Sequence, residues 1–255
     1  MDKGFFAGVE TKEYVSSTGE RVELPIRYLD FAAMIGAFTA PADKLQGLLP
    51  SKRLKPALFT PGRGVIAFSA FEYRELVDLP PYNEFGISIP VLYEPRVNIP
   101  GLPLLAPQWF KTYGLYVHHL PVTTELARDG GIEIWGFPKF LAEITFEGTG
   151  DSLRCRLRAD GKDIITLEGE KLVTRPRSMD WPTYTVKDDE LLKTRTHVQG
   201  EMGISMLRGG ATYALGDHPI ADELRSLDMG DKAVQFIYAP QLQSLLYPGE
   251  TRLPR

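Results

Sequence analysis

The chain of 255 residues has little of the residue types that support disulfide scaffolds, membrane spans or secretion. Its lone cysteine, Cys155, excludes a disulfide within the chain, and the alternating pattern around it predicts a strand residue that faces the core. No run approaches the roughly 20 apolar residues of a membrane-spanning helix, and the first residues lack the apolar core of a signal peptide. We therefore expect a soluble cytoplasmic protein without a membrane partner.

An excess of charge and a set of metal ligands are also lacking. The chain carries 29 basic and 33 acidic residues, a net charge of −4, which gives nucleic acid no electrostatic footprint. Of its four histidines, His118 and His119 are adjacent, and neighbouring side chains on a strand point to opposite faces, so we expect that they cannot share one metal ion. Phosphate-loop, dinucleotide and serine-hydrolase motifs do not occur. The sequence thus predicts no metal, no cofactor and no nucleic-acid partner.

What the chain does have is 43% hydrophobic residues, enough for a sizeable core, and 20 prolines and 24 glycines that cut it into short segments. Nothing resembling a linker or a repeat separates two halves. We predict a single domain over residues 1–255, with residues 1–20 as a loose N-terminal arm.

Most segments of the chain predict strands, and a few predict short helices. Apolar or β-branched runs predict strands at 25–38, 65–73, 113–120 and 233–238. Helices are predicted at 42–49, 122–129 and 217–227, the second capped by Thr123 or Thr124 and stopped by Gly130 and Gly131. Alternating segments at 141–147, 152–158 and 163–172 predict an antiparallel meander.

Two stretches give no regular prediction. The proline-rich 94–110 is predicted to be an excursion over the surface or into a subunit contact, and 173–200 has a mixed pattern with a charge run that is typical of a solvated face. The fold class predicted from all these segments is α+β, with a largely antiparallel and possibly closed β-sheet around a cavity.

The most informative stretch is 133–143, Glu-Ile-Trp-Gly-Phe-Pro-Lys-Phe-Leu-Ala-Glu, which places Lys139 among aromatic residues. Burial penalises an ammonium ion and so favours a neutral amine that can attack a carbonyl. The competing interpretation is a lysine that packs its stem and keeps its head in water. Pro138 stiffens the backbone before the lysine, which favours an aimed side chain.

This stretch, with the segment 83–91 and the segment 215–224, resembles the acetoacetate decarboxylase superfamily. The resemblance runs from about residue 25 to about residue 247, and its most specific mark is the Pro-Lys at 138–139. It implies a cone-like closed β-sheet, a homo-oligomer and a lysine that forms a Schiff base with a keto acid. Lys139 would be that lysine, and Glu84 matches a pocket carboxylate.

The chain departs from the family pattern at three places. Phe140 stands where acetoacetate decarboxylases have a second lysine, and Ser69 stands where a second pocket glutamate is expected. An arginine expected on the first strand has no match in register, since that position is Phe31. Arg27 is the alternative candidate for binding a substrate carboxylate. The competing interpretation is that Arg27 forms an ion pair with Asp30 or Glu23. Without a neighbouring cation, desolvation alone must activate Lys139.

Three functions remain open at this point. The first is a lyase that decarboxylates a β-keto acid through an imine on Lys139, with Glu84 moving protons and Arg27, Trp135, Phe137 and Phe140 as candidate substrate-binding residues. The second is an imine-dependent aldolase or dehydratase acting on a 2-keto acid such as pyruvate. The third is a non-catalytic binder of a small molecule.

Overall fold

The computed structural model describes residues 3–17, 19–249 and 251–255. Within these residues the chain forms four α-helices and fifteen strands. The helices are α1 (Ala42–Leu48), α2 (Leu102–Leu105), α3 (Glu125–Trp135) and α4 (Pro219–Ser226). The strands are β1 (Lys12–Val15), β2 (Arg21–Leu24), β3 (Ile26–Pro41), β4 (Leu54–Pro56), β5 (Arg63–Leu76), β6 (Tyr82–Tyr93), β7 (Tyr113–His119), β8 (Glu143–Thr149), β9 (Ser152–Ala159), β10 (Lys162–Glu170), β11 (Arg175–Lys187), β12 (Glu190–Met206), β13 (Ala211–Leu215), β14 (Ala233–Leu246) and β15 (Thr251–Leu253).

The main sheet closes on itself as a barrel. Its order is β11-β7-β6-β5-β3-β14-β12, and β12 pairs again with β11 to complete the ring. Neighbouring strands are antiparallel except β11 and β7, which run parallel. Closure removes the free sheet edges and encloses an interior. The predicted α+β class with a closed, largely antiparallel sheet is confirmed.

A second sheet, in the order β13-β10-β9-β8, covers one outer side of the barrel. Its strands β8, β9 and β10 are the predicted meander. Cys155 and Leu157 of this sheet share one core with barrel residues such as Phe68 and Ile87. Because β6 is covered on both faces, almost every residue of Tyr82–Tyr93 is buried. This double cover keeps the middle of β6 out of water.

The unassigned stretch 173–200 is a correction to the sequence interpretation, since it contains β11 and most of β12. The charge run at 187–190 is the turn between them, and Asp188 and Asp189 there have φ of 51° and 62°. Aspartate tolerates this left-handed conformation better than most residues, and two such residues in a row make a tight hairpin turn. The pattern was missed because the strands alternate irregularly and contain Pro176 and Pro182.

The N-terminal arm is a second correction, because its described part is ordered. Strands β1 and β2 pair as a hairpin. The Tyr14 hydroxyl donates a hydrogen bond to Glu133 of α3 at 2.8 Å, and the Ser17 amide donates to both carboxylate oxygens of Glu133 at 2.8 and 3.1 Å. These partners lie more than a hundred residues apart, so local sequence could not reveal them. Positions 1, 2 and 18 of the predicted arm lie outside the described residues.

In the part of the chain that the structure describes, no helix is long and apolar enough to cross a membrane.

Candidate active site

Helix α3 carries the residues that lead to Lys139. Thr124 caps it as predicted, since its side chain accepts a hydrogen bond from the Ala127 amide. The predicted stop at Gly130 and Gly131 is wrong, because the helix continues to Trp135 and ends at Gly136, whose φ is 64°. Gly131 serves close packing instead: a Cβ there would lie 2.6 Å from the Cδ and Cε of Lys139.

The chain reverses after α3 and lays Lys139 back against the helix. The Phe137 amide donates to the Gly131 carbonyl at 3.2 Å, and the Leu120 amide, just beyond β7, donates to the Pro138 carbonyl at 3.1 Å. On the other side of Lys139, the Val122 amide donates to the Phe140 carbonyl at 2.9 Å, so hydrogen bonds before and after Lys139 fix its backbone between α3 and the end of β7. Because Gly131 has no side chain, the Lys139 side chain can pack directly against α3 and extend towards Glu84 of the barrel strand β6.

Lys139 meets Glu84 there. Its Nζ lies 2.8 Å from Glu84 Oε2, and the two side chains are only 6% and 9% exposed. The snorkelling alternative is thus excluded for this geometry, because the head of Lys139 is not in water. A buried charge persists only when it is paired and hydrogen-bonded, and each side chain gives the other that partner.

Three tyrosines surround the pair. The Tyr73 hydroxyl donates to Glu84 Oε1 at 3.4 Å, the hydroxyls of Tyr28 and Tyr82 lie 3.1 Å apart, and Lys139 Nζ is 5.6 Å from the centre of the Tyr82 ring. Burial, followed by the negative charge of Glu84, raises the pKa of Tyr28 and of Tyr73. Burial and the neighbouring Tyr28 and Glu84 likewise raise the pKa of Tyr82. The three hydroxyls therefore stay protonated at neutral pH and can act as hydrogen-bond donors.

These tyrosines are not singled out in the sequence analysis. A signal was present, because Tyr82 lies two residues before Glu84 and so shares its strand face. Tyr73 pairs with Tyr82 across β5 and β6. Finding Tyr28 required the register of β3, which sequence alone did not give.

Two cavities meet at Lys139. The outer cavity has a volume of about 410 Å³ and lies between the N-terminal hairpin and α3, while the inner one, of about 110 Å³, lies inside the barrel. Four residues line both cavities: Tyr28, Phe137, Lys139 and Leu246. Lys139 is thus a wall residue of both cavities, and a molecule in either one lies beside its side chain. This is a site for an organic molecule whose reacting atom meets an amine and a carboxylate together.

The sequence matches the acetoacetate decarboxylase (ADC) family over residues 14–243. The chain belongs to the acetoacetate decarboxylase family. No protein of curated function matches it by sequence.

Solved structures with the same fold include the acetoacetate decarboxylase of Legionella pneumophila, which is 20% identical with a TM-score of 0.62 over 89% of this chain and 88% of that one. An acetoacetate decarboxylase-like enzyme from Sphingomonas wittichii RW1 is 16% identical, with a TM-score of 0.54 over 94% and 98%. The enduracididine biosynthesis enzyme MppR, complexed with pyruvate, is 14% identical, with a TM-score of 0.58 over 95% and 98%. At these identities the likeness shows the shared fold, and the family match makes this chain an acetoacetate decarboxylase-like enzyme.

Two positions that depart from the family pattern lie in the wall of the inner cavity. Ser69 and Phe31, which stand where the family pattern has a glutamate and an arginine, both line the inner cavity. Phe137 lines both cavities, and Trp135 lines the outer one with its ring centre 5.8 Å from that of Phe137. This acetoacetate decarboxylase-like chain therefore replaces two charged positions of the pocket by a hydroxyl and a phenyl ring.

Arg27 and Phe140 are not brought to the site. Arg27 forms an ion pair with Glu23, the alternative that the sequence left open, and lines neither cavity. The Phe140 side chain packs against the core beneath the second sheet, away from Glu84. Among the described residues that line the two cavities, Lys139 is the sole cation, whereas Glu20, Glu84, Glu125 and Asp129 are acidic.

His118 and His119 do not point to opposite faces, which corrects the sequence argument. The Nε2 atoms of both lie within hydrogen-bond distance of the same oxygen, Oε1 of Glu223, at 2.8 and 3.1 Å. The reason is an irregularity in the pairing of β7 with β6: Val117 faces Ser88 and His119 faces Ile87, so His118 is an extra residue. Such a bulge rotates the following side chain and breaks the alternation. The two imidazoles lower the pKa of Glu223 to about 2 by hydrogen bonding.

Proposed function

We propose that this acetoacetate decarboxylase-like enzyme is an imine-forming lyase that decarboxylates a β-keto acid on Lys139. The observation that carries the proposal is the contact of 2.8 Å between Lys139 Nζ and Glu84 Oε2, nearly buried and located where two cavities meet. An amine that is enclosed by protein and reachable from a cavity, with a proton acceptor in contact, is the arrangement that imine chemistry requires.

The first half of the reaction makes the imine. A proton passes from the Lys139 ammonium to Glu84, and the neutral amine attacks the ketone carbon. The ammonium of the adduct passes a proton to its alkoxide, which becomes a hydroxyl. Glu84 then gives its proton to this hydroxyl, water leaves, and a protonated imine remains beside the Glu84 carboxylate. The first proton transfer needs no external base, because Lys139 and Glu84 are already in hydrogen-bond contact.

The second half breaks the carbon–carbon bond. The bond to the β-carboxylate breaks, its electron pair moves into the protonated imine to give an enamine, and carbon dioxide departs. A solvent proton passed through Glu84 is then added to the enamine carbon, and water hydrolyses the imine to release the ketone and free Lys139. The apolar walls around Phe31, Phe71 and Val117 favour this step, because a carboxylate is poorly solvated there and carbon dioxide is not.

An imine-dependent aldolase or dehydratase acting on a 2-keto acid such as pyruvate is the second candidate. The tyrosine hydroxyls near Glu84 favour it, since they stay protonated and can donate to an alkoxide or a leaving hydroxyl. The two adjoining cavities, which share Lys139 in their walls, offer room for two reacting components, and Phe140 leaves no second lysine beside Lys139. The similarity in fold to MppR, which was solved with pyruvate, supports the same candidate.

Product analysis separates the candidates. Purified protein is incubated with acetoacetate and a series of longer β-keto acids while carbon dioxide release is measured, and in parallel with pyruvate plus an aldehyde while condensation products are measured by mass spectrometry. Carbon dioxide release that disappears in Lys139→Ala supports the decarboxylase, and a condensation product with the same dependence supports the aldolase or dehydratase. Saturable binding of a keto acid without turnover in either assay would indicate a non-catalytic binder.

We also propose that the working protein is a homo-oligomer in the cytoplasm.

A further inference from the structure

A second cluster of chemically active side chains lies outside the cavities. It consists of His118 and His119 at the end of β7 and Glu223 in the middle of α4, and their ligand atoms all lie within 4.8 Å of one another. The ring centres of the two histidines are 4.2 Å apart. We propose that this cluster is a binding site for a divalent transition-metal ion, with Zn²⁺ as its first candidate.

The donor set fits such an ion. Two imidazole nitrogens and one carboxylate oxygen are ligands that Zn²⁺ takes at about 2.0 to 2.2 Å, and a three-residue set leaves a position for water. Tetrahedral ligands around such an ion are about 3.3 Å apart. The two separations between imidazole and carboxylate, 2.8 and 3.1 Å, need to open by only a few tenths of an ångström, and the ligand atoms of the two histidines lie within 4.8 Å of each other. One carboxylate against two neutral imidazoles also gives the site a net negative charge that suits a dication.

The local structure holds the ligands in place before an ion arrives. The extra residue in β7 aims both rings at one point, and α4 is fixed by its cap, where His218 Nδ1 accepts a hydrogen bond from the Ile220 amide at 3.1 Å. The side chains of His118, His119 and Glu223 are 14%, 22% and 36% exposed, so the cluster is partly shielded and still open to solvent. Partial shielding strengthens binding, and the opening gives an entry path.

The position of the cluster suggests what a bound ion would do. It would join the barrel to α4, a helix that otherwise packs against the second sheet through Leu224. Leu120, directly after the histidines, donates its amide to Pro138, and the ring of Phe140 stands edge-on to His119 at 6.4 Å. The cluster therefore lies behind the segment that carries Lys139, and an ion there would stabilise that segment without touching the substrate. This inference does not depend on the proposed reaction.

The ordinary alternative is a hydrogen-bonded cluster that ties α4 to β7 and binds no metal. Metal titration of untagged protein, stripped beforehand with a chelator, separates the two. With Zn²⁺ in competition with an indicator dye, we expect one ion per chain, and with Co²⁺ we expect the visible absorption of a four-coordinate site. Binding should raise the Tm by several degrees when the metal is well above its Kd. No saturable binding up to 1 mM, a ceiling that is roughly the weakest affinity of biological metal sites, would overturn the proposal.

Variants locate the ion. His118→Ala, His119→Ala and Glu223→Gln should each weaken binding by at least about tenfold to 100-fold, since loss of even an outer partner of a metal ligand has that effect. His197→Ala is the matched control, because His197 pairs with a carboxylate, Asp180, at 2.7 Å outside the cluster. Unchanged binding in all three variants would contradict the assignment. If a variant fails to fold, X-ray absorption at the zinc edge of the native chain decides, because two imidazoles must be seen around the ion.

Discussion

At the scale of single residues, the contact between Lys139 and Glu84 is the most important one. Both side chains are buried, so water cannot replace either partner. Glu84→Gln keeps the shape and removes the proton acceptor, so we expect kcat to fall by about 10²-fold to 10⁴-fold. It also leaves a buried ammonium without its counter-charge, which destabilises a fold by about 3 to 5 kcal/mol. Turnover assays and urea unfolding measure the two effects.

Glu72→Gln is the control for this prediction, since Glu72 belongs to the neighbouring strand β5 and lines neither cavity. That variant should keep both turnover and stability. Normal turnover in Glu84→Gln would show that Glu84 moves no proton in the reaction.

Lys139 could be named from sequence because a lysine among aromatic residues is unusual, and Glu84 could be named because the segment 83–91 resembles the acetoacetate decarboxylase superfamily. Tyr28, Tyr73 and Tyr82 could not, since tyrosine is common in strands and its role depends on which face it occupies. Arg27 was a candidate by charge alone, and Glu23, four residues away, takes it out of the site.

At the scale of elements, α3 is shaped to receive Lys139. Gly131→Ala would place a methyl group 2.6 Å from the Lys139 side chain, so we expect the amine to move and kcat to fall by about 10-fold to 100-fold, because small displacements of a reacting group have large effects on rate. The fold should remain, since alanine favours a helix over glycine by up to about 1 kcal/mol.

Gly130→Ala is the matched control, one residue away on the same helix, where a Cβ meets no atom within 4 Å. It should raise the Tm slightly and leave kcat unchanged. Equal loss of activity in both variants would argue that helix flexibility, not the packing of Lys139, explains the glycine.

The N-terminal hairpin is a second element with a testable contact. Hydrogen bonds from Ser17 and then Tyr14 lower the pKa of Glu133 from its ordinary value of 4.5. The stabilisation from this carboxylate is therefore complete above about pH 4.5 and is lost as the pH falls through the lowered value.

We accordingly expect hydrogen exchange at residues 12–17 to be slow at pH 6 and to rise below pH 4.5 relative to the barrel core, after correction for the intrinsic rates. In Glu133→Ala the same amides should exchange fast at both pH values. Equally slow exchange in that variant would mean that other contacts hold the hairpin.

The elements that sequence predicted well were those with a clear period, such as the meander β8 to β10. The errors concern residues whose role depends on tertiary contacts. A glycine in a helix is typical of a stop, but Gly131 is needed because the Lys139 side chain, eight residues later, packs against it. The bulge at His118 likewise depends on the register of β7 against β6, which no local pattern encodes.

At the scale of the whole molecule, the closed barrel was predictable as a class, from short alternating segments without β-α-β order and from the family resemblance. How it closes was not, because the strands that complete the ring, β11 and β12, lie in the stretch whose pattern gave no regular prediction. The sequence therefore predicted a cavity inside a closed sheet, but it did not predict which residues of β11 and β12 line it.

The negative charge around the outer cavity comes from different elements of the fold. Glu20 lies in the N-terminal hairpin and Glu125 lies in α3. Both carboxylates repel an anionic keto acid on its way to Lys139. The double variant Glu20→Gln with Glu125→Gln should lower KM by about twofold to tenfold at low salt and leave kcat unchanged. The difference should shrink towards 1 M salt, where screening reaches about 3 Å.

Glu190→Gln removes a negative charge at the distant turn between β11 and β12. It is the control for the change in net charge and should leave KM unchanged. An unaltered KM in the double variant would mean that the substrate enters by another route or carries no negative charge.

The central claim is that Lys139 forms an imine with a keto acid, and borohydride trapping tests it most directly. The protein is incubated with acetoacetate and separately with pyruvate, reduced with borohydride, and mapped by peptide mass spectrometry. We predict an added mass on Lys139 with at least one keto acid, absent in Lys139→Ala and strongly reduced in Gly131→Ala. A protein that turns over a keto acid and yet shows no label on Lys139 with any member of a keto-acid series would contradict the account.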